Sequence, residues 1–159
     1  MKPQPTSRKA THAEPAILFA LGTVTFAIAA KEVDEIRDVA ALLPPGVTSP
    51  SPKVKFRLVR EGKTYWVVDA SEHFHMVSSH CSRVLVLRNA STAVLVERID
   101  RMADISVVLP IPPAFQGEER DWFRGLTIIE ENAISRAVPV VNADTFTQSV
   151  EQAEARISR

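Results

Sequence analysis

Apolar and polar residues alternate in short stretches along this chain, and small polar turns separate the stretches. Ile17, Phe19 and Leu21 share one strand face, with Leu18 and Ala20 on the other. Gly22-Thr23 then supplies a turn, and Val24, Phe26 and Ile28 share a face of the returning strand. Three more hairpins are predicted. Val54, Phe56 and Leu58 lead through Glu61-Gly62 to residues 65–68. Residues 84–87 lead through Asn89-Ala90-Ser91 to residues 93–96, and residues 126–129 lead through Glu131-Asn132 to residues 134–141. β-Branched and aromatic strands with turns at this spacing indicate small barrels rather than strands alternating with helices.

Two segments depart from the pattern. Val33, Ile36, Ala40 and Leu43 fall at helical spacing, which leaves residues 31–43 open between helix and strand. Pro44, Pro45, Gly46, Pro50 and Pro52 make residues 43–52 an extended loop. Near the end, Phe146, Val150, Ala153 and Ile157 predict an amphipathic helix over residues 144–159. Asp144 is its expected cap, and Thr145 with Gln148 has capping-box spacing.

The chain also resembles itself. Residues 17–37 (ILFALGTVTFAIAAKEVDEIR) and 84–102 (VLVLRNASTAVLVERIDRM) each run strand, turn, strand and then a charged tail that keeps some apolar positions. A mainly β fold of two similar barrels is therefore expected. The first covers about residues 15–80 and the second about 81–142, with strands free to be exchanged between them.

A chain of 159 residues, 45% of them hydrophobic, can form one domain or two tightly joined halves with a real core. Nineteen basic residues balance nineteen acidic ones, so no basic excess marks a nucleic-acid or anionic-membrane partner. The one cysteine, Cys81, excludes an intrachain disulfide and fits a reducing compartment. Lys2, Arg8 and Lys9, placed before the apolar run 17–30 with its Ala27-Ile28-Ala29, imitate a secretory signal. Glu14 and Pro15 directly before the run, and Gly22, Thr23 and Thr25 inside it, argue for a hairpin instead. The run is also too short to insert through a membrane. The expectation is a cytoplasmic protein whose residues 1–14 form a flexible tail.

Candidate chemistry is sparse. His73, His75, His80 and Cys81 carry zinc-ligand side chains, but no Cys-x-x-Cys accompanies them and a polar loop is their expected setting. There is no G-x-S-x-G elbow, and the five glycines form no phosphate-binding loop. Ser78, Ser79 and His80 are neighbours in sequence, which does not make a triad. Glu118-Glu119 and Glu130-Glu131 flank turns as solvated pairs. A non-enzymatic protein without cofactor or metal is the expectation. The alternative from another class, a small secreted β-barrel enzyme or metal protein, needs both the signal reading and the His/Cys cluster.

Apolar residues set among charges say more. Val33 and Ile36 sit among Glu32, Asp34, Glu35 and Arg37, and Ile99 and Met102 among Glu97, Arg98, Asp100, Arg101 and Asp104. Each residue taken singly is a core candidate. Together they have the composition of a partner-binding ridge, with apolar anchors for affinity and charges for orientation.

At these ridges the chain resembles the CheW-like adaptor domains. LGTVTFAIAAKEVDEIR, residues 21–37, resembles their opening signature: a glycine turn, then an aromatic, a small residue and isoleucine, then V-x-E-I-R. GKTYWVVD at 62–69 resembles their R-G-x-x-x-P-V-V-D strand, residues 84–102 resemble the second-barrel hairpin, and FRGL at 123–126 resembles the opening of the last hairpin. The likeness covers about residues 15–146. It implies two SH3-like five-stranded barrels packed side by side, a C-terminal helix, and a short turn plus strand for residues 31–38.

The resemblance also implies scaffolding between the regulatory domain of a CheA-type histidine kinase and the cytoplasmic tip of a chemoreceptor. It puts Val33, Glu35, Ile36 and Arg37 on the contacting side of the first barrel. Val84, Val86, Ile99 and Met102 would lie on or near the second-barrel surface that meets the kinase. Three positions depart from the family pattern. Glu61 stands where the family has a receptor-contacting arginine, Trp66 replaces the proline, and Glu97 replaces the aspartate that closes the second-barrel hairpin. Arg60, next to Glu61, points to the opposite face if the strand alternation holds. The reversed charge at Glu61 fits a diverged adaptor serving a non-chemotactic kinase as a second reading.

Overall fold

The computed structural model describes residues 13–77, 80–115 and 117–157, so residues 1–12 of the expected 1–14 tail and the Ser78-Ser79 pair lie outside it. The strands are β1 (Glu14–Leu21), β2 (Val24–Ala29), β3 (Val33–Asp38), β4 (Val54–Arg60) and β5 (Lys63–Asp69), followed by β6 (Arg83–Leu87), β7 (Thr92–Val96), β8 (Arg98–Ile105), β9 (Phe123–Glu131) and β10 (Ile134–Val141). The helices are α1 (Ala70–His73), α2 (Glu119–Trp122) and α3 (Asp144–Ile157). Residues 31–43, open between helix and strand in sequence, form β3 between two single-turn 3-10 helices. Glu14, expected in the tail, opens β1 and pairs with Lys31 at 2.9 Å, which holds its carboxyl below the usual carboxylate range.

The strands form two five-stranded sheets, ordered β8-β1-β2-β10-β9 and β3-β6-β7-β5-β4. We call them the terminal and the central barrel. Both are mixed: β2 runs parallel to β10, and β5 runs parallel to β7. Each half of the chain gives one hairpin to one barrel and the next three strands to the other. β1–β2 joins β8, β9 and β10, while β6–β7 joins β3, β4 and β5. The expected division after residue 80 therefore cuts through the central barrel. Similar hairpins are visible in sequence, but their distant partners are not. A helix follows the fifth strand of each half: α1 after β5 and α3 after β10.

Exchange of strands leaves three apolar cores. One is inside the terminal barrel around Leu18, Ala27, Ile129 and Val140, and one inside the central barrel around Leu58, Tyr65, Val84, Val86 and Leu95. The third lies between the barrels, where Ile17, Phe19, Phe26 and Ile28 meet Leu85, Leu87, Val94 and Val96. This explains the near-continuous apolar run of β1. Ile17, Phe19 and Leu21 face the other barrel while Ala16 and Leu18 face their own, so both sides of the strand are buried. The signal-like run is thus the β1–β2 hairpin at the centre of the fold. Among the described residues, no helix is long and apolar enough to cross a membrane.

Aromatic rings tie the helices to the central core. Phe26 lies 5.5 Å from Phe19 and 5.2 Å from Phe74 of the α1 turn, and Phe74 lies 5.7 Å from Phe146 of α3. Asn142, rather than Asp144, caps α3: its Oδ1 accepts from the Asp144 N–H at 3.2 Å. The last hairpin turns at Asn132-Ala133, one residue later than expected, with φ of 53° and 65°. Both residues left-handed is the twist a two-residue hairpin turn requires.

Candidate partner-binding surfaces

β3 ends one sheet of the central barrel, and its inner neighbour is β6. A register shift between Val33 and Glu35 sets which side chains turn inward. Val33 is 6% exposed and belongs to the core between the barrels, so it is not the surface anchor that the resemblance implied. Ile36 is 41% exposed. It stands opposite Leu85 in the ladder, so it continues outward the face that packs against the other barrel. Glu35 and Arg37 flank it and pair with each other at 3.4 Å.

On the other face of β3 from Ile36, charged side chains meet β4. Arg60 Nη1 meets Asp34 Oδ2 at 2.7 Å, Arg60 Nε meets Glu35 Oε1 at 3.1 Å, and Arg60 also donates to the Tyr65 hydroxyl at 3.2 Å. Asp34 is held from the other side by Arg88 at 3.2 Å. This network closes the seam between the two ends of the central sheet and keeps the Arg60 guanidinium charged, through the hydrogen bond to Asp34 first. Glu61 is not on a strand at all. It occupies a two-residue turn with Gly62, φ 51° and 79°, and its carboxylate projects into solvent within 3.7 Å of Arg60. Strand alternation therefore does not separate Arg60 from Glu61, because the second of them has left the strand.

Val84 and Val86 are 0% exposed. The resemblance put them on or near a surface, and the structure corrects this. β6 is paired on both edges, with β3 and β7, so Val84 and Val86 fill the central barrel while Leu85 and Leu87 fill the space between barrels. Ile99 and Met102 lie on β8 of the terminal barrel, not on the barrel of Val84 and Val86. Ile99 is half-buried against the core between the barrels, and Met102 is 54% exposed opposite Ile17.

Strand exchange makes the two ridges equivalent. β3 and β8 are each the third strand of their half of the chain, and each ends a sheet of the opposite barrel. Val33 and Ile99 turn toward the shared core, and Ile36 and Met102 are the exposed apolar residues three positions later. Arg98, Asp100, Arg101 and Glu131 surround the second ridge with ion pairs of 3.2 Å (Arg98–Asp100) and 3.8 Å (Arg101–Glu131). Glu97, another departure from the family pattern, accepts from the Gly22 N–H at 2.9 Å and ties β7's end to the β1–β2 turn.

Sequence reasoning missed the Arg60–Asp34–Arg88 network. The alternation of Leu58 and Arg60 with Val59 was a usable signal, since it sets Arg60 on the barrel-core face at the strand's end. The His/Cys cluster does not converge. His73 packs on Phe146 at 4.6 Å and lies 3.3 Å from the Thr145 hydroxyl, while His75 pairs with Glu118 at 2.8 Å. Among the described residues, no three His, Cys, Asp or Glu side chains are placed to hold a metal ion. Burial, with the nearby Lys53 charge second, lowers the His73 pKa to about 4.

Paired SH3-like barrels that exchange strands, with their exposed apolar residues on sheet edges, define a scaffold class that works through its surfaces. The chain belongs to the CheW-like domain family, whose sequence profile matches residues 15–151. That family consists of scaffolding domains and not of enzymes. The crystal structure of the scaffolding protein TtCheW from Thermoanaerobacter tengcongensis has the same fold. It aligns with a TM-score of 0.66 at 13% identity, over 82% of this chain and 90% of that chain. No curated protein matches the chain.

Proposed function

We propose that this protein is a cytoplasmic, non-enzymatic adaptor that couples a chemoreceptor-type input to the regulatory domain of a CheA-type histidine kinase. The observation that carries the reading is Ile36. It is an apolar side chain left partly in solvent on a sheet end, on a strand whose other face carries the paired Glu35 and Arg37, within the segment most like the family signature. An exposed apolar anchor on a strand that also presents fixed charges can give affinity on one face and orientation from the other. Met102 provides a second such anchor on the other barrel.

The two anchors lean on one core. Ile36 is opposite Leu85, Met102 is opposite Ile17, and Leu85 and Ile17 belong to the same cluster between the barrels. Binding at one ridge that shifts this packing biases the other, which is the coupling a signalling scaffold needs. The test is co-elution of the purified chain with the kinase regulatory domain and with a receptor-tip fragment. Both complexes are expected, and failure with the kinase domain would overturn the reading.

Glu61 favours a second reading, an adaptor for a kinase with a non-chemotactic input. Its exposed carboxylate occupies the family's arginine position, and the neighbouring Arg60 is already neutralised by Asp34 and Glu35. Glu61→Arg is expected to strengthen binding to a typical receptor tip several-fold in a titration. Unchanged affinity would place Glu61 outside the contact.

A further inference from the structure

Residues three apart on an unbroken strand point to opposite faces, yet Val33 and Ile36 share one, as do Ile99 and Met102. A bulge on each strand is the cause. Val33 is opposite Leu87 and Ile36 opposite Leu85, so Asp34 is an extra residue with no partner in the ladder. On β8, Ile99 is opposite Phe19 and Met102 opposite Ile17, which leaves Asp100 as the extra residue. Each aspartate follows the apolar residue that roots its ridge and stands two residues before the exposed anchor. We infer that Asp34 and Asp100 are positioning residues whose carboxylates lock the two bulges and so present Ile36 and Met102 to a partner. The role rests on the adaptor reading; the bulges are testable without a partner.

Arginines converge on both aspartates. Arg60 Nη1 reaches Asp34 Oδ2 at 2.7 Å from β4, and Arg88 Nη1 reaches Oδ1 at 3.2 Å from the β6–β7 turn. Arg88 also donates from Nε to the Lys31 carbonyl at 3.0 Å and from Nη2 to the Val33 carbonyl at 3.1 Å. Its backbone N–H donates to the Glu32 carbonyl at 2.9 Å. One arginine thus clasps residues 31–34 in succession, using the fan of donors that a guanidinium carries. Asp100 is held by Arg98 at 3.2 Å, and Arg98 donates to the Gly22 carbonyl of the β1–β2 turn at 3.4 Å. In both ridges an arginine ties the bulge aspartate to the turn of the hairpin with which the ridge strand pairs.

Closing the first bulge would slip the register by one residue. Asp34 would then stand opposite Val86 and Ile36 opposite Val84, whose side chain fills the central barrel. Ile36 would leave its present face, and Glu35 and Arg37 would take it. Burial of apolar surface favours that slip at Ile36, so a polar clasp has to oppose it. β3 offers little else, because it ends its sheet and has a backbone ladder on one side only.

The test is Asp34→Ala in the full chain, read by cross-strand nuclear Overhauser contacts and by titration with the kinase regulatory domain. The parent is expected to show Ile36 against Leu85 alone. Asp34→Ala is expected to keep its near-ultraviolet circular dichroism and to show a second set of contacts, Ile36 with Val84. Its affinity should fall with the fraction left in the parent register, by on the order of fivefold when about one fifth remains. Asp34→Asn keeps one oxygen for the two arginines and is expected to fall between parent and Asp34→Ala; it carries the same readouts should Asp34→Ala fail to fold. Asp100→Ala is expected to move Met102 from Ile17 to Ala16 in the same way. An unchanged register in the Asp34 variants or in Asp100→Ala, or parent-like affinity in Asp34→Ala, would overturn the inference. Absence of binding by the parent would overturn the adaptor reading instead, and the contacts of Ile36 would still decide the bulge.

Discussion

Ile36→Asp and Val84→Asp place the same charge on paired strands only one residue apart in register, yet the structure predicts opposite outcomes. Val84 is 0% exposed inside the central barrel, among Leu58, Tyr65 and Val86. A carboxylate there has no partner, and its burial costs several kcal/mol, a large share of the roughly 5–15 kcal/mol that holds a domain together. Val84→Asp is therefore expected to accumulate no native protein. The milder Val84→Ala removes two buried methyl groups at about 0.8 kcal/mol each, plus a cavity term, for roughly 2 kcal/mol or a fall of about 4–8 °C in melting temperature. A wholly buried isoleucine is worth about 1.5–3 kcal/mol, and Ile36, 41% exposed, has about half of that at stake. Ile36→Asp should then melt within about 2–6 °C of the parent and give the same near-ultraviolet circular dichroism. A fall above about 10 °C for Ile36→Asp, or a native melting temperature for Val84→Asp, would show that the faces of β3 and β6 have been assigned wrongly.

Gly125→Ala tests how the 106–115 segment docks on β9. A Cβ at this position meets the Leu109 carbonyl oxygen and comes within 2.7 Å of Val108 Cγ1, where Leu109 and Leu126 exchange hydrogen bonds of 2.7 and 2.8 Å. Losing that bridge should cost roughly 1–3 kcal/mol in urea unfolding, and an unchanged midpoint would mean the segment does not pack there. His73 gives a pH signature. Its folded pKa of about 4 lies below the ordinary histidine value of 6.5, so the unfolded chain binds the proton more readily and stability falls as pH drops from 6.5 to 4. The loss is on the order of 2 kcal/mol once partial exposure is allowed for, and His73→Phe should flatten that part of the stability curve. A curve with the same slope in the variant would assign the effect to another group.

The hairpins were legible because their turns are local. Gly62 follows Glu61 with both residues left-handed, and neighbouring residues alone announce such a turn. The partners of each hairpin were not legible. β1 pairs with β8 and β3 pairs with β6 across long stretches of chain, and nothing near residue 80 marks where one barrel ends. Val84 and Val86 are a different case. Val84-Leu85-Val86-Leu87 is an uninterrupted apolar run of the kind a strand buried on both faces carries, and the ladders to β3 and β7 place it inside; it was the resemblance that had put these valines on or near a surface. Ile36 and Met102 stood out as apolar residues among charges, a pattern that survives folding because both strands end a sheet. Arg60 was hidden for the opposite reason, since its role depends on Asp34 and Glu35 arriving from the far end of the same sheet.

The adaptor account meets its sharpest test in a titration of the kinase regulatory domain with the parent chain and with folded Ile36→Asp. The account predicts saturable binding by the parent and at least a tenfold loss in the variant at unchanged circular dichroism. Equal binding by both proteins, or none by the parent, would contradict it.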